Sequence, residues 1–376
     1  MHHRITAKFS LNTPLFSSGA DETKPELRVS EIKAALRFWW RAMNYQLVDA
    51  ASGNCQTLAA RESELFGSTK GQSPFLLRVV ANHVDALQLK SATELVANGN
   101  TRYLGYGLTE TGANRFGKAA DSGPTFTIEL TLKPAACASQ QEYVNVLKLF
   151  GMFGGLGYRS RRGFGSVTLQ MLRIDDRDQA LPTASADYEA VFASVLRDIP
   201  TAAATVAAPV YSAFVRDRRF CRVVLVNKPP QQFQTGIGAL NAIAKAFKSL
   251  LTEIPAAGGS RLQNRVALSS PDDVSWAYLG LPRGYGKGSL DHKPKALSDR
   301  TDLKELDRRA SPLLLHVYRD NASGTYGVVA ILFKSDFLPY GYGVAASLGT
   351  AKSLPTPPAN GYAWIDTWLD TIGTDI

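Results

Sequence analysis

A stretch rich in glycine and arginine, GGLGYRSRRGFGS at 154–166, combines residue types that bind anions. Glycines let a backbone approach a ligand closely, and guanidinium groups fork onto phosphate oxygens. Tyr158 adds a ring on which a base can stack. The glycines of this segment, hereafter the glycine loop, are Gly154, Gly155, Gly157, Gly163 and Gly165, and its cations are Arg159, Arg161 and Arg162. The composition predicts a loop that binds phosphate groups.

The order of elements around the glycine loop argues against a nucleotide cofactor. A dinucleotide-binding loop runs from a strand into a helix, whose positive N-terminus holds the phosphate. Here apolar periodicity predicts a helix over 141–153 and a strand over 166–174, so the loop follows a helix C-terminus. In an alternative interpretation the glycines only turn the chain, the arginines complement the helix C-terminus, and Phe164 packs inside.

A row of cations lies on a predicted helix over 30–48, for which Ser30 is a candidate N-cap. Like charges four residues apart repel each other unless an anion neutralises them. The row predicts one of two roles for this side of the helix. It either binds phosphates and stacks on a base, or it is a solvated cationic face with both tryptophans in the core. The row is Lys33, Arg37 and Arg41 with Trp40 at its edge, and the apolar stripe is Ile32, Leu36, Trp39, Met43 and Leu47.

The segment ESELFGSTKGQSPF at 62–75 is predicted as a loop that resembles part of a phosphate-binding loop. The spacing of a true P-loop is absent. Ser68, Thr69 and Lys70 are still candidates to hold a phosphate, and the alternative is a surface turn before a strand.

The order of predicted elements is the same on the two sides of a small-residue segment, PTAAATVAAP at 200–209, which reads as a linker. Strand, helix, two strands, helix and strand is the order of a ferredoxin-like, RRM-like βαββαβ unit. We therefore predict an α+β protein with two tandem ferredoxin-like modules, 1–199 and 210–376, with long insertions at 99–123 and 281–310. The predicted strands are 3–12, 73–81, 124–133, 166–174, 218–227, 311–319 and 324–334, and the helices are 30–48, 141–153, 236–251 and 362–373.

The composition narrows the classes of function that fit the sequence. The 376 residues carry 42 Lys and Arg against 33 Asp and Glu, a net charge of +9 that favours a polyanionic partner. The three cysteines lie far apart without zinc-type spacing, so neither a metal nor a cofactor is predicted. No long apolar run appears, so we expect a soluble cytoplasmic protein without a membrane partner.

These motifs together resemble the RAMP proteins, the RNA-binding subunits of CRISPR effector complexes. Within them, ELRVSEIKAALRFWWRA (26–42), ESELFGSTKG (62–71), GGLGYRSRRGFGS (154–166) and RRASPLLLHV (308–317) look like the first subunits of type III-B Cmr complexes, as does TPLFSSGAD (13–21). The resemblance implies two RAMP modules that bind guide RNA (crRNA) near its 3′ end and single-stranded target RNA beside other RAMP subunits. By the same resemblance the RNA-facing residues are Arg28, Lys33, Arg37, Trp40, Arg41, Ser68, Thr69, Lys70, Tyr158, Arg159, Arg161, Arg162, Arg308 and Arg309.

A ribonuclease is the alternative function, because some RAMP relatives cut RNA with a histidine as general base. His292, next to Asp291, is the only histidine with an evident acid partner in a basic loop. His316 lies in an apolar strand, which indicates a structural role. The adjacent pairs Asp175-Asp176 and Asp272-Asp273 read as solvated turns rather than as metal ligands. We therefore predict no catalytic residue.

Overall fold

The computed structural model describes most of the chain, and every statement below concerns the part it describes. These residues are 3–21, 25–49, 52–83, 89–90, 95–96, 99–105, 108, 119–120, 123–181, 187–197, 208–215, 217–228, 232–253, 275–280, 292–297, 304, 306–346 and 358–376. Residues 200–207 of the predicted linker lie outside them.

The first half of the chain builds an antiparallel five-stranded sheet in the order β2-β5-β1-β6-β7. The small pair β3 and β4 belongs to an insertion between β2 and β5. The elements are β1 (His3–Leu11), α1 (Val29–Met43), α2 (Gln56–Phe66), β2 (Phe75–Asn82), β3 (Leu89–Lys90), α3 (Thr101–Leu104), β4 (Ala119–Ala120), β5 (Thr125–Leu132), α4 (Gln140–Phe153), β6 (Val167–Ile174), β7 (Arg177–Asp178) and α5 (Asp187–Val195).

The second half builds an antiparallel four-stranded sheet in the order β10-β11-β8-β13. A separate pair, β9 and β12, lies outside it. The elements are β8 (Cys221–Val226), α6 (Gly236–Glu253), β9 (His292–Ala296), β10 (Leu313–Arg319), β11 (Tyr326–Phe333), β12 (Tyr342–Ala346), α7 (Pro358–Ile372) and β13 (Gly373–Asp375). The two halves with these sheets are called the first and second units below.

The predicted strands and helices are confirmed to within a few residues, with the following corrections. Helix α1 ends at Met43 rather than at residue 48, because the Asn44 side chain donates to the Trp40 carbonyl (2.8 Å) and a short 3-10 turn follows. The helix begins at Val29, so the prediction of Ser30 as N-cap is wrong. Helices α2 and α5 were not predicted at all, and residues 62–66 of the predicted loop 62–75 form the end of α2.

Buried side chains form two clusters, and the second sheet lies between them. Successive residues of β11 alternate between the clusters, so that Ile331 points to the first and Leu332 to the second. The first cluster also takes the inward residues of β1, such as Phe9, with the apolar faces of α1 and α4. The layers therefore run first sheet, helices, second sheet, helices, and the apolar core crosses the predicted module boundary.

The outer edge of β10 is bonded to the first unit along its length. Side chains and a carbonyl of the first unit take the place of a neighbouring strand, so the two units share one continuous hydrogen-bonded joint. The bonds are Leu315 N to Arg161 O (3.0 Å), Val317 N to Ser166 Oγ (3.1 Å), Asn12 Nδ2 to Val317 O (2.8 Å) and Arg319 N to Thr168 Oγ1 (2.9 Å). Across the described residues, no helix is long and apolar enough to cross a bilayer.

Candidate nucleic-acid interface

The glycine loop leaves the C-terminus of α4 at Gly154 and enters β6, in the predicted order. Gly157 and Gly165 have φ values of +78° and +60°, which favour glycine. A Cβ on Gly157 would meet the Phe16 carbonyl oxygen at 2.5 Å, and one on Gly165 would collide with the Leu156 carbonyl. The space beside Gly154, Gly155 and Gly163 is likewise taken by the chain itself. These contacts favour the alternative in which the glycines make room for the chain's own main chain and, at Gly163, for the Leu240 side chain; that they admit an RNA backbone stays a prediction. Phe164 is fully buried against Phe16, as predicted.

Two arginines of the glycine loop turn toward the second unit. Arg161 Nη1 donates to the Ser311 carbonyl (2.7 Å), and its guanidinium lies 5.0 Å from the Phe38 ring. Burial, together with the charge of Arg309, lowers the pKa of Arg161 to about 10. Arg162 Nη2 donates to the Leu279 carbonyl (2.8 Å), and the group lies over Phe247. These contacts favour the alternative in which Arg161 and Arg162 serve the structure.

Two neighbours in the same loop face solvent. The side chain of Tyr158 is 45% exposed, and Arg159, which adopts a positive φ of 61°, is exposed. Partial desolvation and the nearby positive charge of Arg308 lower the pKa of Arg159. Arg308 is also exposed and comes from the second unit. Two like charges from different units thus lie close together, an arrangement that an anion between them would stabilise.

A shallow cleft of about 400 Å³ joins Tyr158 to the start of α1. Its walls include Ser17, Arg28, Gly157 and Glu31, and Arg28 is exposed at the N-cap of the helix. The Glu31 carboxylate accepts from Ser17 Oγ (2.6 Å) and from the Gly157 amide, so it ties α1 to the glycine loop. Tyr158 of the cleft directly precedes Arg159, and Arg308 lies near Arg159, so we call the cleft residues with these two arginines the polar face.

The cationic row of α1 carries its own counter-charge. One carboxylate oxygen of Glu62 accepts from Arg37 Nε and from Arg41 Nη1, both at 2.7 Å. Lys33 is half-buried over the Phe75 ring (5.3 Å), and burial, then the charge of Arg37, lowers its pKa. The anion that the row requires is thus supplied in part by the chain itself.

Trp40 is fully buried, so the prediction that it stacks on an RNA base is wrong. Its Nε1 donates to Glu142 Oε2 (3.0 Å), and its ring packs edge-on against Phe66. The edge of α1 on which Trp40 lies is covered by α2 and α4, and both tryptophans of the helix belong to the core.

The turn after α2 presents its side chains to solvent. Ser68, Thr69 and Lys70 are exposed, and the turn is closed by Ser68 N donating to the Gly71 carbonyl (2.8 Å). Arg309, by contrast, is half-buried: its Nη2 donates to the Asp336 carbonyl (3.1 Å), and burial lowers its pKa. Of the predicted set, the exposed members are therefore Arg28, Ser68, Thr69, Lys70, Tyr158, Arg159 and Arg308.

Sequence reasoning did not find the acidic residues that organise this face. Glu62, Glu31 and Glu142 each bind a residue from a distant part of the chain. Glu62 lies 25 residues after Arg37 and 21 after Arg41, and no local spacing links them. A row of arginines with no acid at helical spacing was the only signal that a distant carboxylate was needed.

Two of the described histidines have defined surroundings. His316 is buried in β10, as predicted, and burial lowers its pKa to about 3. His3 pairs with Asp175 (2.8 Å) at the β6–β7 turn, where Asp175 and Asp176 form a solvated turn as predicted. Among described residues, no group of three metal-ligating side chains converges. Asp291, Asp272-Asp273 and the His292 side chain lie outside the described part.

Comparison with known proteins agrees with this architecture. Residues 8–168 match the RAMP superfamily. The CRISPR system Cmr subunit Cmr1-2 of Pyrococcus furiosus is 29% identical over 185 residues, which cover 43% of this chain and 92% of that protein.

Two solved structures extend the likeness over nearly the whole chain. Cmr1 from Pyrococcus furiosus, in its apo crystal form, has a TM-score of 0.58 and 19% identity, covering 97% of this chain and 96% of that one. A chain of the type III-B Cmr-beta complex bound to cognate target RNA has a TM-score of 0.54 and 12% identity, covering 98% and 100%. The chain is thus similar to the RAMP superfamily in sequence over residues 8–168, and it shares the fold of Cmr1 over nearly its whole length.

Proposed function

We propose that this protein is a non-catalytic RNA-binding subunit of a type III-B CRISPR ribonucleoprotein in the cytoplasm. It contacts guide RNA near the 3′ end and helps to capture single-stranded target RNA beside other Cmr subunits. The relatives support the assignment, since one is a Cmr subunit and another was solved in a complex with target RNA. Binding is directed at the phosphate backbone, because such a subunit has to accept any guide sequence.

The observation that carries the proposal is the exposed face made by Arg28, Tyr158, Arg159 and Arg308. It draws cations from both units to one place, with an exposed ring beside them for base stacking. Lys70, in the turn after α2, extends the cationic surface.

We also propose that the two units are tandem ferredoxin-like modules, 1–199 and 210–376. In each unit, counting only its four main strands along the chain, the sheet has the order 2-3-1-4. A long helix follows the first strand (with the additional α2 in the first unit), and another precedes the fourth. This is the arrangement of a βαββαβ unit.

The test is a salt titration of RNA affinity by fluorescence anisotropy. Each phosphate contact with a single strand contributes about 0.7 to the slope of log K against log salt. The double variant Arg159→Ala/Arg308→Ala should lower that slope by about 1.4 and weaken binding similarly for unrelated RNA sequences.

A matched control removes two arginines elsewhere. Arg173 and Arg177 are exposed at the β6–β7 turn, at the opposite end of β6 from the glycine loop, about 20 Å along the strand. Arg173→Ala/Arg177→Ala should change the slope by less than half as much. Equal effects of the two double variants would refute the proposal that this face binds RNA. A wild-type chain that binds no RNA, alone or within the complex, would refute the proposed function.

The proposal that the protein does not cleave RNA has its own test. Labelled guide and single-stranded RNA should stay intact when incubated with the purified chain. Specific products that disappear in the His292→Ala variant would overturn this proposal and establish the ribonuclease alternative.

A further inference from the structure

Arg37 makes two kinds of contact with the C-terminal end of α2. Its Nε donates to Glu62 Oε1 (2.7 Å), and its Nη2 donates to the main-chain carbonyl of Gly67 (2.9 Å). Gly67 is the C-cap of α2, and its amide donates to the Ser63 carbonyl. A cation at this end stabilises the helix, because the last carbonyls of a helix carry partial negative charge. Arg37 of α1 thus caps the end of α2.

The exposed turn at 68–70 begins directly after this cap. Lys70 N donates to Ser68 Oγ (3.1 Å), which keeps the turn compact, while its side chains face solvent. Because Gly67 is held by Arg37, the entry to the turn has a fixed place relative to α1. The side chain of Glu62 is only 12% exposed, and it fixes Arg37 from the other side.

We propose that Glu62 and Arg37 are positioning residues that hold the turn of Ser68, Thr69 and Lys70 beside α1, so that Lys70 meets an RNA phosphate. Arg37 acts through the turn and does not itself take a phosphate, since two of its nitrogens are bonded to Glu62 and Gly67. Arg41 supports the same carboxylate. This inference rests on the proposed RNA-binding function and names the residues that arrange one part of the site.

The signs of two substitutions separate positioning from direct contact. Arg37→Ala removes a cation, and Glu62→Gln removes an anion while keeping the side chain's shape. If the row of α1 bound phosphate directly, Glu62→Gln would strengthen RNA binding by releasing two guanidinium groups, and Arg37→Ala would weaken it. Positioning predicts that both variants weaken binding about threefold to tenfold and lower the salt slope by about 0.7, as Lys70→Ala does.

A double-mutant cycle supplies a second criterion. If Arg37 acts through the turn, adding Lys70→Ala to Arg37→Ala should weaken binding by less than about twofold further, because the contact is already lost. Fully additive effects would overturn the proposal. The control is Glu64→Gln on the same helix, since Glu64 is largely exposed and its described ion pair is with Arg61 alone. This control should leave binding unchanged or slightly stronger.

A readout without RNA keeps this inference separate from the proposed function. Trypsin cleaves after Lys70, and cleavage requires the turn to open. Arg37→Ala and Glu62→Gln should raise the rate of cleavage at Lys70 about fivefold or more, whereas Glu64→Gln should stay near the wild-type rate. Unchanged cleavage in the first two variants, or tighter RNA binding by Glu62→Gln, would overturn the inference. A wild-type chain that binds no RNA would refute the function, and cleavage alone would then decide whether Glu62 and Arg37 hold the turn.

Discussion

Replacing Gly157 by alanine tests what the glycine loop is for. If the glycine admits an RNA backbone, Gly157→Ala should leave stability unchanged and weaken RNA binding only. If it admits the protein's own chain, the free energy of unfolding should fall. The structure favours the second outcome, because φ is +78° and a Cβ would lie 2.5 Å from the Phe16 carbonyl oxygen.

The expected magnitude follows from three contributions. A left-handed backbone costs a residue with a Cβ about 1–2 kcal/mol. Forcing the carbonyl of Phe16 to shift costs about 1–3 kcal/mol more. Alanine restricts the unfolded chain more than glycine does, which returns about 0.4–1 kcal/mol. The net loss is about 1–4.5 kcal/mol, and with about 2 cal/mol/K of unfolding entropy per residue it lowers Tm by about 1–6 °C.

Thermal unfolding followed by circular dichroism measures this loss, with Gly71→Ala as the control. Gly71 has open space on its Cβ side and no positive φ, so its substitution should leave Tm within about 1 °C. A Gly157→Ala variant with the wild-type Tm would refute the packing account of the loop. If such a variant also lost RNA affinity, the glycine would be assigned to ligand approach instead.

Two further predictions concern buried groups. Burial lowers the pKa of His316 from 6.5 to about 3. Between these pH values the histidine is protonated in the unfolded chain but neutral in the folded chain, so the free energy of unfolding is highest above about pH 6.5 and falls as the pH drops below it. The free energy of unfolding should therefore fall by about 2 kcal/mol less between pH 7 and pH 5 in the His316→Leu variant than in the wild type, as measured by urea titrations at each pH. Trp40→Phe should cost about 1–3 kcal/mol through the lost bond to Glu142 and a smaller ring, while RNA affinity measured by anisotropy stays the same. A loss of affinity without a loss of stability would restore Trp40 to the RNA surface.

The strands and helices could be predicted from sequence because their signals are local. Period-two alternation in β1 and apolar stripes in α1 and α4 depend on neighbours within a few residues. The ends of α1 were less predictable, since Asn44 acts through a side-chain bond that competes with the helix. Helix α2 was missed entirely, and its last turn was taken for a loop because Ser63 and Gly67 resemble loop residues.

The roles of the cations could not be predicted, because their partners are distant in sequence. Arg161 donates to the carbonyl of Ser311, and Arg309 donates to the carbonyl of Asp336. Arg37 binds a glutamate from another helix. A helical wheel places Trp40 between the apolar and cationic stripes, and only the packing of α2 and α4 decides that this edge is buried.

The positive surplus of the sequence therefore divides into two physically different groups. Arg161, Arg162 and Arg309 have their guanidinium groups on carbonyls and aromatic rings, where they join elements and are poor ligands for RNA. Arg159 and Arg308 lie exposed near each other from two units, an arrangement that the proposed binding of an RNA phosphate would stabilise. Since the joint along β10 fixes one unit against the other, it also fixes the spacing of this pair. Arg161 and Arg162 add side-chain bonds to Ser311 and Leu279 between the same two units, so these interior arginines help to fix the spacing of the exposed pair.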